Sequence, residues 1–409
     1  MFKALRQPSA RLLFMAASKS IELEITDLAY GGDGVGRTEG RACFVPFTLP
    51  GERVRAHLVQ ENKRYARAEV AELLTSSPER IKPPCPHFRA CGGCRYQHLD
   101  YAAQIRWKQK QVTEILARIG GFRAPPLKTM IPSPHSYGYR NKITLHGPGQ
   151  PAFLALNDRR LIAIAHCPLA TGSINALLRE HLQRTLAEGE DLVIRSNQAG
   201  EARWFTECAG RHTASDGQPG TPAENILGQS YDYPVSSFFQ VNPEILNQIL
   251  TIAGRRFEAS GCSTLLDAYC GVGVFVLALT RPEQRGIGIE VDPAAVAAAR
   301  NNAARQGARQ VTFLAGRAEA RLEKALRNCP APQTCLLLDP PRAGCSTPVM
   351  RAIAAHRPRH ILYLSCVPPI LARDLKQLAL AGYRLIRVQP FDMFPQTAHI
   401  ECLAELALP

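Results

Sequence analysis

No run of about 18 uninterrupted apolar residues occurs in the 409-residue sequence, so no membrane-spanning helix is expected. A secretion signal of ordinary length is also missing. The first 20 residues carry basic side chains and no acid, and their apolar patch, Leu12 to Ala17, spans only six positions. Residues 1–19 therefore read as a disordered leader, or as sequence bypassed by a start at Met15. Thirteen cysteines is an odd number, which excludes a complete disulfide framework, favours a reduced cytoplasm and directs the thiols to metal binding and catalysis. Acid is in short supply: Asp and Glu number 35 against 49 Lys and Arg, for a net charge of +14. The deficit is uneven, with 21 cations to 12 acids in residues 1–130 and 28 to 23 in residues 131–409. A polyanionic partner, nucleic acid first among them, is the natural reading. Internal repeats and low-complexity tracts are absent, and at roughly 150 residues per domain the length predicts two or three domains.

From Ser20 to about residue 76, short β-runs alternate with glycine turns, as in IELEITDLAY, GGDGVGR and YARAEVAELL. That spacing predicts a small β-barrel, and no helix follows GGDGVGR to make it a dinucleotide loop. Arg37, Arg41, Arg53, Arg55, Lys63, Arg64 and Arg67 interleave with Tyr30, Phe44, Phe47 and Tyr65, which supplies charge for phosphates and rings for bases. A linker rich in Ser and Pro leads into CPHFRACGGC, where Cys85, Cys91 and Cys94 lie within ten residues and Gly92-Gly93 allow tight wrapping. Cys167, in AHCPL, is the next cysteine and completes a set of four thiols that suits either zinc or an iron–sulfur cluster. YAAQIRWKQKQVTEILARI, Tyr101 to Ile119, has the apolar spacing of one amphipathic helix. Residues 77–235 read as a central mixed α/β domain with a helix around Ile174 to Leu186 and a loop from Ala209 to Thr221. Residues 236–409 alternate strand and helix and predict a doubly wound parallel sheet, its last two strands forming an antiparallel edge.

Chemistry is written into this last domain. LDAYCGVG, Leu266 to Gly273, is a turn after a strand, and Glu290 ends the next strand, placed to accept hydrogen bonds from ribose hydroxyls. The third glycine of a dinucleotide fingerprint is missing. With Asp339-Pro340-Pro341-Arg342 ending a fourth strand, this tilts the cofactor from a nicotinamide to S-adenosylmethionine. In LYLSCVPPILARD, Leu362 to Asp374, a strand ends at Ser365-Cys366 and a Pro-Pro pair opens a helix. Cys366 thus sits where ligands bind in open sheets, and a thiolate there suits addition to an electron-poor ring carbon. Carbon 5 of uracil becomes nucleophilic once a thiolate has added at carbon 6, and a base must then remove its proton. Glu401, two residues after His399 in TAHIECLAEL and so on the same side of a strand, is the candidate base.

These residues resemble the RNA uracil-5-methyltransferases, specifically the branch with an amino-terminal TRAM barrel and an iron–sulfur cluster. The likeness runs from Ser20 onward through CPHFRACGGC, HCPL, FFQVN, DAYCGVG, IEVD, DPPRAG, LSCVPPILARD and TAHIE. It implies a 4Fe–4S cluster on Cys85, Cys91, Cys94 and Cys167, and S-adenosylmethionine contacts at Gln240, Tyr269, Glu290 and Asp339. It assigns Cys366 as nucleophile and Glu401 as base. Its fold would be a Rossmann-like methyltransferase domain behind the barrel and the central α/β domain. Two positions depart from the pattern: Val274, where relatives often have a polar residue beside the cofactor, and Val367, where asparagine is common.

The expectation is a monomeric cytoplasmic enzyme making 5-methyluridine in RNA, with 23S ribosomal RNA as substrate. The same reaction on transfer RNA is the nearest rival, which mass mapping of both RNA pools separates. A non-catalytic iron–sulfur RNA-binding or assembly factor is a rival of another class, which S-adenosylmethionine binding separates. Cytosine methylation, the third, would yield 5-methylcytosine.

Overall fold

The computed structural model describes residues 19–409 apart from 157, 209–210, 215–222 and 235, so the expected leader lies outside the described residues but for Lys19. The chain gathers into two compact units. One holds the segment up to Pro84 with Arg95–Trp107, and the other holds Cys85–Cys94 with Lys108–Pro409.

In the first unit, β1 (Ser20–Leu28), β2 (Asp33–Thr38), β3 (Arg41–Pro46), β4 (Arg53–Glu61) and β5 (Tyr65–Thr75) close into a barrel of order β1-β2-β3-β5-β4. Alternation decides its inside: Leu23, Ile25, Cys43, Val45, Val54, Ala56, Ala66 and Ala68 form the core. The GGDGVGR stretch turns at Gly31-Gly32 and then enters β2. There a Cβ on Gly34 would lie 2.1 Å from Thr48 Oγ1, so the barrel wall closes only around glycine.

α1 (Tyr101–Arg118) bridges the sequence of both units. In the second unit, β6 (Lys142–His146), β7 (Ala152–Leu154), β8 (Leu161–Ala163), β9 (Glu190–Ser196), β10 (Ala202–Cys208) and β11 (Arg211–Ala214) build an antiparallel sheet of order β11-β10-β9-β6-β7-β8. Ile143, Leu145, Leu192 and Ile194 face α2 (Gly172–Glu180). Thr171 caps that helix, which ends six residues before the expected Leu186. β11 corrects the expected loop in part: Arg211–Ala214 pairs antiparallel with Phe205 to Cys208, while residues 209–210 and 215–221 lie outside the described residues.

β12 (Ala223–Ile226) and β13 (Gln229–Asp232) form a hairpin ahead of α3 (Pro243–Ser260), which Asn242 caps and Gly261 ends. The alternating elements follow: β14 (Thr264–Asp267), α4 (Val274–Leu279), β15 (Arg285–Glu290), α5 (Pro293–Arg305), β16 (Val311–Ala315), α6 (Ala318–Arg327), β17 (Thr334–Leu338), α7 (Thr347–His356), β18 (His360–Ser365), α8 (Pro368–Leu380), β19 (Arg384–Phe391) and β20 (Glu401–Ala407). The sheet order is β16-β15-β14-β17-β18-β20-β19. All neighbouring pairs are parallel except those made by β20. The last two strands form the expected antiparallel edge, with β20 inserted between β18 and β19 and β19 outermost in the sheet. Among the described residues no helix is long and apolar enough to cross a membrane.

Candidate active site

Every residue of β18 is buried, as its run His-Ile-Leu-Tyr-Leu-Ser predicts for a strand covered on both faces. Pro368 and Pro369 open α8, where their missing N–H groups cost nothing. Val367 takes the cap position without a side-chain acceptor, which is the local consequence of departing from asparagine; Ser365 Oγ instead accepts the Val367 N–H at 3.2 Å. Cys366 lies half-buried in this turn. β18 and β20 pair antiparallel up to Ser365 opposite Cys402, which brings the turn at Cys366 to the start of β20, where the thiol feels the Glu401 carboxyl.

Burial, then the Glu401 carboxyl, pushes the Cys366 thiol up to about 12; Arg342 draws it down and Asp339 raises it further. Glu401 is 3% exposed, and its Oε1 has no hydrogen-bond partner. Burial first and Asp339 second hold this carboxyl well above the usual carboxylate range. Asp339, just past β17, is pushed up to about 7 by burial and accepts from Gln240 Nε2 at 3.4 Å. His399 precedes β20 rather than lying in it, so strand alternation does not relate it to Glu401. Burial, followed by Arg342, Lys108 and Arg140, lowers its imidazole to about 4, leaving it neutral at pH 7. The segment delivering both residues is held by buried polar groups. Lys108 Nζ donates to Asp392 Oδ1 at 2.6 Å and to Phe394 O at 3.2 Å, and Tyr139 Oη donates to Pro395 O at 3.0 Å.

Beyond the carboxyl ends of β14 to β17 opens a cavity of about 730 Å³. Tyr269 and Glu290 line it, together with Val291, Arg317, Glu319 and Cys345. Glu290 is aimed by two backbone donors, Gly271 N to Oε2 at 2.9 Å and Asp292 N to Oε1 at 2.8 Å. Asp267 is fully buried at the end of β14, with Oδ1 accepting from Tyr269 N and Oδ2 unpartnered. Gln240 and Asp339 do not line this cavity; they meet each other and stand nearer Cys366 and Glu401. Val274 begins α4 inside the apolar core, so no polar contact is made there.

The cysteine segment lies against the end of β7: Gly92 N donates to Leu154 O at 3.0 Å and Leu156 N to Ala90 O at 2.9 Å. Cys167 is fixed by Asn175, which accepts from its N–H at 2.8 Å and donates to its carbonyl at 3.0 Å. Cys85 and Cys91 are raised first by burial, and both also feel Cys167. Two buried donors beside these thiols lack partners: Tyr137 Oη, near Cys94 and Cys85, and Arg140 Nε, near Cys167 and Cys94. Orphaned donors facing thiols fit an anionic sulfur-rich group. Among the described residues no three His, Cys, Asp or Glu gather closely enough to hold one metal ion.

The family profile described as tRNA (uracil-5-)-methyltransferase matches residues 225–407, and that of the TRAM domain matches residues 19–71. An uncharacterized RNA methyltransferase of Synechocystis is 35% identical, with 93% of this chain and 94% of that one covered. Another, from Halalkalibacterium halodurans, is 32% identical over 95% and 97% of the two chains. The chain belongs to the RNA uracil-5-methyltransferase family. A Pyrococcus abyssi tRNA (uracil-54, C5)-methyltransferase, solved with S-adenosyl-L-homocysteine, shares the fold at a TM-score of 0.71 and 23% identity, covering 95% of this chain and 100% of that one. This uracil-5-methyltransferase family member thus has the S-adenosylmethionine-dependent methyltransferase fold and a TRAM barrel. Sequence reasoning found the strand-end acid Glu290 but missed Arg317 and Glu319, which follow the end of β16 in the same way. The signal was present, since a ligand-facing residue is expected past each strand of such a sheet.

Proposed function

We propose that this enzyme methylates carbon 5 of a uridine in RNA through a covalent adduct of Cys366, with Glu401 as the base. The observation that carries the reading is that the end of the β18–β20 ladder brings Cys366 near Glu401, and both feel the Asp339 carboxyl. When bound, S-adenosylmethionine supplies an electrophilic methyl group; Tyr269 and Glu290 would hold it, with Gln240 and Asp339 at the reacting end. Once the Cys366 thiol has given its proton to solvent, the thiolate adds its electron pair to carbon 6 of a flipped-out uracil, and the ring becomes an enolate nucleophilic at carbon 5. After methylation, the Glu401 carboxylate takes the proton from carbon 5. Those electrons restore the 5,6 double bond, and the Cys366 thiolate leaves. Burial leaves the Glu401 carboxyl protonated at rest, so the step runs from its ionised form, which is the stronger base for being held well above the usual carboxylate range. Cys366→Ala should bind RNA without transferring methyl, whereas Glu401→Gln should accumulate a covalent RNA adduct; full turnover by the alanine variant would rule the mechanism out.

Resemblance to the iron–sulfur branch supports 23S ribosomal RNA as substrate. Transfer RNA is the second reading, favoured by the name of the matched family profile. Mass mapping of 5-methyluridine in both RNA pools of a deletion strain decides between them, and 5-methylcytosine in the same experiment would replace both. Cys85, Cys91, Cys94 and Cys167 would hold a 4Fe–4S cluster as a structural crosslink, supported by the orphaned Tyr137 and Arg140 donors. Anaerobic purification with iron and sulfide analysis tests this against zinc. The barrel as an RNA grip, the monomeric state and the cytoplasmic setting belong to the same proposal.

A further inference from the structure

The stretch that carries the nucleophile also ends in a buried acid that the reaction does not use. Asp374, on α8, is 0% exposed, and its two oxygens are saturated by donors from three elements. Tyr363 Oη, on β18, donates to Oδ2 at 2.6 Å, and Cys345 N donates to the same oxygen at 2.9 Å. Arg373 Nε donates to Oδ1 at 2.8 Å, and its Nη2 reaches back to Ala343 O at 2.9 Å. The turn after Asp339-Pro340-Pro341-Arg342 is thereby tied to the helix that starts just after Cys366. Gly344 shows how tight the tie is: φ is +82°, and a Cβ there would lie 2.5 Å from Asp374 Oδ2 and 2.5 Å from Ile370 Cγ2. Ala343, Gly344, Cys345 and Ser346 form one wall of the cofactor cavity, and Arg373 lines it too.

We infer that Asp374 is a positioning residue that clamps the Pro341–Cys345 turn, so that one contact sets both the wall of the methyl-donor cavity and the place of Arg342 beside Cys366. Arg342 is the cation that draws the Cys366 thiol down against burial and Glu401, so moving it should make that sulfur harder to ionise. The inference rests on Cys366 being the nucleophile, but its test needs no methyl transfer and stands or falls separately.

The experiment uses the full chain without RNA. It measures S-adenosylmethionine affinity by calorimetry and the pH dependence of Cys366 alkylation by iodoacetamide, resolved by peptide mass spectrometry. Asp374→Asn should weaken cofactor binding about tenfold, the scale of one charged hydrogen bond removed, and shift the alkylation profile to higher pH. Gly344→Ala crowds the same contact from the other side and should do the same, while Tyr363→Phe, which removes one donor, should show a smaller change. On an Arg342→Ala background, Asp374→Asn should leave the alkylation profile unmoved, because Arg342 carries the effect. Should Asp374→Asn not fold, Gly344→Ala and Tyr363→Phe decide alone. Unchanged affinity and profile in the folded variants, or an alkylation shift that adds to that of Arg342→Ala, would overturn the inference.

Discussion

The barrel and the seven-stranded sheet use the same acids in opposite ways. In the barrel, Glu22, Glu39, Glu61 and Glu72 stand in solvent and face Arg41, Arg53, Arg55 and Lys19 in exposed pairs. Such pairs are screened and contribute little to stability. In the sheet, Asp267 and Glu401 are buried with an unpartnered oxygen each, and no cation among the described residues neutralises them directly. A carboxyl in that state holds its proton, keeps its oxygen for a ligand, and costs stability for doing so. These four barrel acids therefore organise a surface, whereas Asp267 and Glu401 keep an oxygen open; Glu405, buried in the same sheet, is instead paired with Arg256 at 2.8 Å.

Removing the proposed reacting groups should have the largest effects. Cys366→Ala should reduce methyl transfer to background, and Glu401→Gln should slow turnover about 10²–10⁴-fold while an RNA–protein adduct appears on denaturing gels. Next, Cys91→Ser should lose iron and sulfide on anaerobic purification, whereas Cys208→Ser, an exposed thiol outside the set, should keep both. A smaller effect is read in stability against pH. Asp339 and Glu401 hold protons in the folded state that the unfolded chain releases near pH 4. The folded form binds more protons, so stability should fall as pH rises from about 4 through 7, by about 1.4 kcal/mol per unit for each such group. Asp339→Asn should flatten that slope in denaturant titrations. The smallest effects belong to the barrel: Arg55→Ala should leave the unfolding midpoint unchanged. The triple change of Arg37, Lys63 and Arg64 to alanine, cations without a carboxylate partner among the described residues, should lower the salt dependence of RNA binding by about 0.7 for each phosphate no longer neutralised.

Much of this comparison was legible in the sequence, and the reasons are local. The barrel's alternation and the strand–helix alternation after residue 236 each announce their fold through a single periodicity, and strand ends expose Glu290, Asp339 and Cys366 in any open sheet. What could not be read depends on contacts distant along the chain. The seven barrel cations formed one undivided group in sequence, yet four of them, Arg41, Arg53, Arg55 and Arg67, face carboxylates. The pairing of β20 with β18 was hidden because a short connection after β19 suggests only a terminal hairpin. β11 was obscured by neighbouring Gly, Ser and Pro, which outweighed four residues whose partners lie across β10.

The insertion of β20 also sets an order of assembly. β19 touches no other strand of its sheet except β20, although it is made first. A nascent chain that has emerged only through Phe391 therefore exposes the edge of β18 with nothing to pair against it, and β19 is held by the earlier segment around Leu127 and Ile131, through Lys128 N to Val388 O at 2.9 Å and Ile131 N to Pro390 O at 3.0 Å. Closure waits for the strand that begins with Glu401, so completing the sheet and installing the proposed base are one event, and intermediates that lack Glu401 also lack a closed sheet.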